Sequence, residues 1–291
     1  MTSYRVPEGL GEMPVKSFLK QQGISANYWK KVKFSGTFRC NGQMISHPAL
    51  LSVSGGEVIS WELSEEGNVT PEDLPLDIRY EDDALIIVNK PQGQLVHPTN
   101  RELHGTLANA VMGYYQRRGI SAAFHPVHRL DRNTTGLLLI VKESRFHYLL
   151  SPKGKKQFTR EYLALVSGSP SPSFGWIDAP IGRDPESIIR RRVDAEGQDA
   201  RTYYETLEVF RDMSLLKLRL ETGRTHQIRV HLAYLGHPII GDDLYGGSRN
   251  LINRQALHAF RLSLFHPVTG KALSVTAELP ADMEALLPPI T

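Results

Sequence analysis

A single cysteine, Cys40, stands among 291 residues. One thiol excludes an internal disulfide and any cysteine cluster for structural zinc, which suits a reducing compartment, and Cys40 itself reads as a small buried apolar residue. Nowhere do eighteen apolar residues run together, and Met1 to Gly9 holds no cationic stretch followed by an apolar segment. Neither a membrane helix nor a secretory leader is expected, and the chain reads as cytoplasmic. A phosphate-cradling G-x-x-x-x-G-K-[ST] loop is missing too, which leaves nucleotide hydrolysis and a nucleotide cofactor without support. Internal repeats and low-complexity tracts are also absent.

Net charge is scarce: 34 Lys and Arg against 31 Asp and Glu leave +3. The whole-chain value says little about a polyanionic partner, and its distribution says more. Lys30, Lys31 and Lys33 cluster early, Lys153, Lys155 and Lys156 follow an expected helix, and Arg190, Arg191, Arg192 and Arg201 surround a polar loop. One such run is ordinarily a solvated face. Three in a chain of this size point toward RNA. A hydrophobic share of 41% suffices for a sizeable core, in one large domain plus a small one.

Residues 1–64 read as the small module. Helical stretches are expected over Val15 to Gln21 and from Ser25, followed by short strands around Asn41-Gly42, which tolerate positive φ, and a turn at Gly55-Gly56 before Val58 to Trp61. Ser64 to Leu76 (SEEGNVTPEDLPL) is acidic and carries Pro71 and Pro75, so residues 65–76 are expected as an exposed linker. Residues 77–291 read as one long α+β domain. Its apolar strand Leu85 to Val88 runs into Asn89-Lys90-Pro91, where proline ends it. Thr106 is placed to cap a helix carrying Leu107, Val111 and Tyr114, and Leu137 to Val141 is a second apolar strand. Leu216 to Glu221 alternates apolar and charged residues, as in a sheet with one wet face. Leu262 to Phe265 and Ala272 to Ala277 flank His266 to Gly270 as a hairpin.

The densest polar cluster is His128 to Gly136 (HRLDRNTTG), which feeds directly into Leu137 to Val141. A cation near Asp131 in the fold would favour the ionised carboxylate that nucleophilic or electrostatic catalysis requires. Asp131 and Asn133 equally suit a turn before the strand, and spacing leaves both readings open. Tyr162 lies in Arg160 to Val166, where alternation puts Arg160, Tyr162 and Ala164 on one face; a packed core aromatic and a catalytic phenol both fit. Arg229 belongs to a helix read over Thr225 to Leu235, with Ile228, His231, Leu232 and Leu235 as its apolar stripe, Gly236 closing it, and His226 and Arg229 on a neighbouring face. Alone, that arginine reads as an exposed helix charge. His226 and His231 do not make a zinc pair: they are five apart rather than four, and neither a following glutamate nor a cysteine assists.

HRLDRNTTG closely resembles the His-Arg-Leu-Asp-x-x-Thr-Ser-Gly signature of the pseudouridine synthases of the large ribosomal RNA and transfer RNA type, the RluA family. Thr135 stands where that family usually has serine. Asn89-Lys90-Pro91 with Gly93 and Val96-His97-Pro98 resembles the family's upstream segment. Lys156 to Gly168 (KQFTREYLALVSG) and Thr222 to Asp242 (TGRTHQIRVHLAYLGHPIIGD) resemble two further blocks in the expected order, and the resemblance spans about residues 77–280. It implies an α+β catalytic fold with a central mixed, mainly antiparallel sheet. The implied activity is isomerisation of uridine to pseudouridine in structured RNA, ribosomal ahead of transfer RNA, by a monomer needing no metal, cofactor or membrane.

The resemblance also implies roles. Asp131 becomes the catalytic aspartate of a reaction that breaks a carbon–nitrogen glycosidic bond, turns the uracil and rejoins it through carbon 5. Its carboxylate could attack the anomeric carbon or abstract a ribose proton to give a glycal, and both routes stay open. Tyr162 becomes the tyrosine that stacks on the base and is a candidate for removing the carbon-5 proton. Arg229 becomes the partner of Asp131, a job suited to a bidentate guanidinium. Arg129 either fills the hole left by the flipped uridine, or holds its backbone, or makes a plain phosphate contact. Further RNA contacts are implied for Arg132, Thr135, Lys156, Arg190, Arg191, Arg192, Arg224 and His226. The N-terminal module more loosely resembles a small RNA-binding domain first recognised in a ribosomal small-subunit protein, with Val15 to Leu19 (VKSFL) in place of its usual basic opening. Two competing classes are a glycosidic-bond hydrolase and a non-catalytic RNA-binding protein. The first needs a second carboxylate, and Asp82, Asp83 and Asp242 show no spacing that pairs them with Asp131; the second has no need of Asp131, Tyr162 and Arg229 together.

Overall fold

Runs that are apolar at every position and runs that alternate build different parts of this protein. The computed structural model describes residues 2–63, 69–151 and 157–288. It begins with β1 (Thr2–Arg5), β2 (Met13–Pro14), α1 (Val15–Gln21), α2 (Ala26–Ser35), β3 (Gly36–Cys40), β4 (Gln43–Met44), β5 (Ser52–Val53) and β6 (Val58–Leu63). Strands in the order β1-β6-β3-β4 form one antiparallel sheet, and β2 pairs with β5. Ser25 caps α2 by accepting from the Tyr28 N–H. Asn41 and Gly42 both take positive φ to turn β3 into β4. Phe18, Trp29, Phe38, Cys40 and Trp61 share a core of their own, with the Phe38 and Trp61 rings stacked 6.0 Å apart. The expected two helices and small sheet are present.

From residue 77 come β7 (Ile78–Glu81), β8 (Leu85–Lys90), α3 (Leu107–Arg118), β9 (His125–Pro126), β10 (Thr135–Val141), α4 (Ser144–Leu150), β11 (Phe158–Ser167), β12 (Phe174–Asp178), β13 (Ile181–Arg183) and β14 (Arg191–Val193). They are followed by β15 (Arg201–Val209), β16 (Met213–Leu220), α5 (Gln227–Tyr234), β17 (Leu257–Phe265), β18 (Ala272–Thr276) and α6 (Ala281–Glu284). Among the described residues the main sheet has ten strands, ordered β12-β15-β16-β11-β17-β10-β8-β7, with β18 beside β17 and β9 beside β10. The β10–β17 pair is parallel and its neighbours are antiparallel, so the sheet is mixed and mainly antiparallel, as expected.

Strands β8 and β10 are the continuous apolar runs, and both their faces are covered. Ile86, Val88, Leu138 and Ile140 face one core, while Leu85, Ile87, Leu137 and Leu139 face another. In β16 the alternation survives: Leu216 and Leu218 are buried, Arg219 is exposed. In α3 the core-filling ring is Tyr115 rather than Tyr114, because the buried stripe runs through Leu107, Ala108, Val111 and Tyr115. Tyr114 is half-buried and donates to Glu81 Oε2 at 2.6 Å. Among the described residues no helix is long and apolar enough to cross a membrane.

The stretch expected as an exposed linker is docked where it is described. Residues 69–76 carry no regular structure, yet the Glu72 N–H donates to the Asn109 carbonyl (3.0 Å) and Asn109 Nδ2 donates to the Thr70 carbonyl (2.9 Å). Val69 and Leu76 pack on the main core. Gly113, inside α3, permits this approach, since a Cβ there would lie 1.9 Å from the Glu72 carbonyl oxygen. Residues 65–68 of that stretch lie outside the described residues, as do Lys153, Lys155 and Lys156. Gly113→Ala is therefore expected to destabilise the protein by about 1–3 kcal/mol, the usual cost of overpacking. Thermal denaturation would register it, and limited proteolysis would show new cleavage within residues 69–76.

Candidate active site

The loop between β9 and β10 ends at the parallel seam of the sheet, where Thr135 pairs with His258 and Gly136 with Ala259. Gly136 takes φ +110, and a Cβ on it would stand 2.3 Å from the Ala259 carbonyl oxygen, so glycine alone lets the seam close. The loop is tied from several sides. Lys90 Nζ donates to the Arg132 carbonyl (2.9 Å), Gln255 Nε2 to Thr134 Oγ1 (3.2 Å), and the Thr134 N–H to the Asp131 carbonyl (3.1 Å). The turn thus uses the backbone of Asp131 and leaves its carboxylate directed at α5.

Arg229, in the first turn of α5, meets that carboxylate with Nη1 3.2 Å from Asp131 Oδ2. Its other edge is gripped by Asp242, with Nε to Oδ2 at 2.6 Å and Nη2 to Oδ1 at 2.7 Å. The guanidinium is a fork with two contacts on Asp242 and one on Asp131. Arg229 is 8% exposed and Asp242 1%, so the cluster is stable only when complete; removing a member strands a buried charge. Burial works against the charge on Arg229, but Asp242 and then Asp131 outweigh it and push its pKa above the ordinary arginine value. The Tyr245 ring lies 5.0 Å from the guanidinium carbon. The Tyr245 hydroxyl accepts from the Arg191 N–H (2.9 Å) and is hydrogen-bonded to His226 Nδ1 (2.8 Å).

Arg229 is therefore not the exposed helix charge that it resembles in isolation. His226 does not share its helical face either: it precedes α5 at φ +59, a left-handed conformation that turns its ring toward Asp131, with Nε2 3.9 Å from Oδ1. Burial lowers the His226 pKa, with Asp131 opposing and Arg229 adding. Tyr162 extends from β11 on the same buried face as Arg160 and Ala164. Burial raises the phenol pKa, Arg160 offsets part of the rise, and Asp131 adds to it. Arg129, Asp131, Tyr162, Arg224, His226 and Arg229 line one cleft of about 50 Å³.

The other expected contacts are placed unevenly. Arg129 and Arg224 are exposed at the cleft, and Arg224 Nε donates to the Asp199 carbonyl (2.8 Å). Arg132 turns away to Glu102, with an ion pair of 2.5 Å. Thr135, expected to contact RNA, is buried, and its hydroxyl lies 2.9 Å from His258 Nδ1 inside the seam, so its part is structural. Arg190 pairs with buried Asp184 and Arg192 with Asp194, while Arg191 is half-buried in β14. Lys156 lies outside the described residues. His231 packs its helix, with Nδ1 on Thr202 Oγ1 (2.8 Å) and Nε2 on the Ala179 carbonyl (2.9 Å). Among the described residues no group of His, Cys, Asp and Glu is arranged to hold a metal.

Three residues of the site have no signal in local spacing: Asp242, Tyr245 and Lys90. Lys90 is fully buried, and its ammonium donates to the carbonyls of Pro91, Gln94 and Arg132. Burial pulls its pKa down to about 7 against the pull of Asp131.

Residues 84–234, just over half of the chain and inclusive of Asp131, Tyr162 and Arg229, match the RNA pseudouridylate synthase family. The chain belongs to that family. This synthase is 40% identical over 280 residues to the uncharacterised RNA pseudouridine synthase YjbO of Bacillus subtilis, a match covering 94% of this chain and 98% of that one. It is 39% identical over 266 residues to ribosomal large subunit pseudouridine synthase D of Escherichia coli, covering 85% of this chain and 80% of the relative. In shape it is similar to human RNA pseudouridylate synthase domain containing 1, with a TM-score of 0.57, 27% identity, and coverage of 74% of this chain and 86% of that one. As an RNA pseudouridine synthase it is an isomerase.

Removing the fork while leaving Asp242 buried should be costly. Arg229→Ala is expected to lower stability by about 3–5 kcal/mol, as for other broken buried pairs. Arg229→Lys keeps the charge but not the bridge, and should melt between the wild type and the alanine variant in a thermal scan.

Proposed function

We propose that this synthase isomerises one or a few uridines of structured ribosomal RNA, with Asp131 as the catalytic carboxylate. The observation that carries this reading is the accessible carboxylate of Asp131 held at a cleft by Arg229, which Asp242 locks from behind. A fixed guanidinium holds the carboxylate oriented as the glycosidic bond at its face breaks. The uracil then turns and rejoins through carbon 5. Attack at the anomeric carbon and abstraction of a ribose proton both begin from that carboxylate. Tyr162, at the floor of the cleft, stacks on the base, and its hydroxyl relays the carbon-5 proton to the ring nitrogen freed from the sugar, giving up one proton as it takes the other. Ribosomal RNA is favoured over transfer RNA because relatives from Escherichia coli and Vibrio cholerae carry ribosomal large subunit pseudouridine synthase in their names.

Arg129 and Arg224 at the rim meet the flipped nucleotide and its phosphates. Residues 1–64, with their own core, form a separate RNA-binding-like unit, joined through residues 65–76 to a catalytic domain over residues 77–291. The enzyme works in the cytoplasm as a monomer without a metal or nucleotide cofactor. The hydrolase alternative is disfavoured by the position of the second carboxylate: both oxygens of Asp242 accept from Arg229, which leaves neither free to act as acid or base on a sugar.

The test maps pseudouridines in RNA from cells carrying wild type, a deletion, or Asp131→Asn. One or a few ribosomal sites should vanish in the deletion and return only with wild type; full restoration by Asp131→Asn would end the catalytic assignment. For Tyr162→Phe, which keeps the ring, RNA affinity should hold while turnover falls by roughly 10²–10⁴, the range for a lost proton-transfer group.

A further inference from the structure

Ile188 is 96% exposed and Ile189 61%, side by side in the loop joining β13 to β14. Isolated exposed apolar residues need no account. These two are adjacent, β-branched and set on a loop whose backbone is fixed. Buried Asp184 accepts from Arg190 Nε (2.5 Å) and from the Glu186 N–H (3.1 Å), and its own N–H donates to the Arg190 carbonyl (3.2 Å). Ser187 Oγ accepts from the Ile189 and Arg190 N–H groups at 3.4 and 3.1 Å. The turn is thus preformed, with its two apolar side chains held outward.

The same hairpin is clamped to the active site. Ile181 of β13 packs with Val230 of α5, and Val193 and Tyr245 pack against them. The Arg191 N–H donates to the Tyr245 hydroxyl, which is bonded to His226, whose Nε2 lies 3.9 Å from Asp131. Ile189 is two residues from Arg191, at most about 7 Å of chain. Arginines follow the tip at 190, 191 and 192; Arg190 is engaged by Asp184 and Arg192 more distantly by Asp194, 3.5 Å away.

We propose that Ile188 and Ile189 form a wedge that enters the base stack of the RNA beside the target uridine, while Arg191 and Arg192 meet the flanking phosphates. The inference rests on the reading of the site given above. A buried base-stacking residue at the floor of a small cleft can be reached only by a nucleotide that has left its stack, so a neighbouring step must be parted. A rigid apolar tip exchanges water for base faces as it enters the gap and lowers the cost of opening it.

The experiment uses the full chain and an unmodified transcript of large-subunit ribosomal RNA, on which wild type defines the target uridine. A stem-loop carrying that uridine is then made with 2-aminopurine as its neighbour, whose fluorescence rises on unstacking. Wild type should raise the fluorescence. The double variant Ile188→Ser/Ile189→Ser should bind the stem-loop within about threefold of wild type, give little rise, and lose about tenfold or more in kcat; a mismatch that opens the stem in advance should restore that rate. A full rise with the double variant, a loss that the opened stem does not repair, or a defect confined to assembled ribosomal subunits would overturn the wedge, the last assigning the tip to a protein contact. A transcript on which wild type forms no pseudouridine would overturn the functional reading and the wedge with it.

Discussion

One guanidinium between two carboxylates organises the site. Asp242 accepts from two nitrogens of Arg229 and so fixes the plane of the fork, and that plane decides where the remaining nitrogen meets Asp131. A lysine in the same place could offer charge but no plane. The two carboxylates would repel one another without the cation between them, so the geometry presented to the cleft and local stability are the same problem here. The surroundings serve this cluster: the Tyr245 ring covers the guanidinium, Lys90 anchors the carbonyl beside Asp131, and the seam at Gly136 sets where the loop stops.

Much of this was legible in the residues. The continuous apolar runs marked the central strands, the Asn41-Gly42 pair marked its turn, and the capping residues Ser25 and Thr106 marked two helix starts, because each is a local rule acting within a few positions. Asp131 and Arg229 were legible through motif resemblance; their meeting was not legible from spacing, since 98 residues separate them. Asp242 closes the segment Thr222 to Asp242, yet its bond to Arg229 depends on the path of the chain after α5. The helical reading wrongly took in His226, because one left-handed residue breaks the periodicity on which that reading depends. The docking of residues 69–76 had a faint signal in Gly113, a glycine inside a helix, which often marks a close backbone approach.

Charge patterning overstated the surface open to RNA. Arg132 and Arg190 were expected at the RNA, but Glu102, from a separate loop, and Asp184, at the other side of the same hairpin, hold them in ion pairs. A cluster counted along the sequence is thus partly neutralised in space, and the cations without such partners, not the longest run, describe the field that a phosphate backbone meets. Thr135 gives a related lesson: a hydroxyl within a functional signature can be there for the sheet rather than for the ligand.

The sheet order carries a consequence for the birth of the protein. Strand β17 is synthesised roughly ninety residues after β11, yet it lies between β10, which follows Asp131, and β11, which carries Tyr162. A growing chain can display the whole signature and both of those residues while the strand that joins them has not left the ribosome. Domains generally fold as units during synthesis, and pairings between distant segments form late. The pairing that holds Asp131 and Tyr162 together therefore waits for β17, and a chain stopped before Leu257 carries the motif without the strand that joins its two halves.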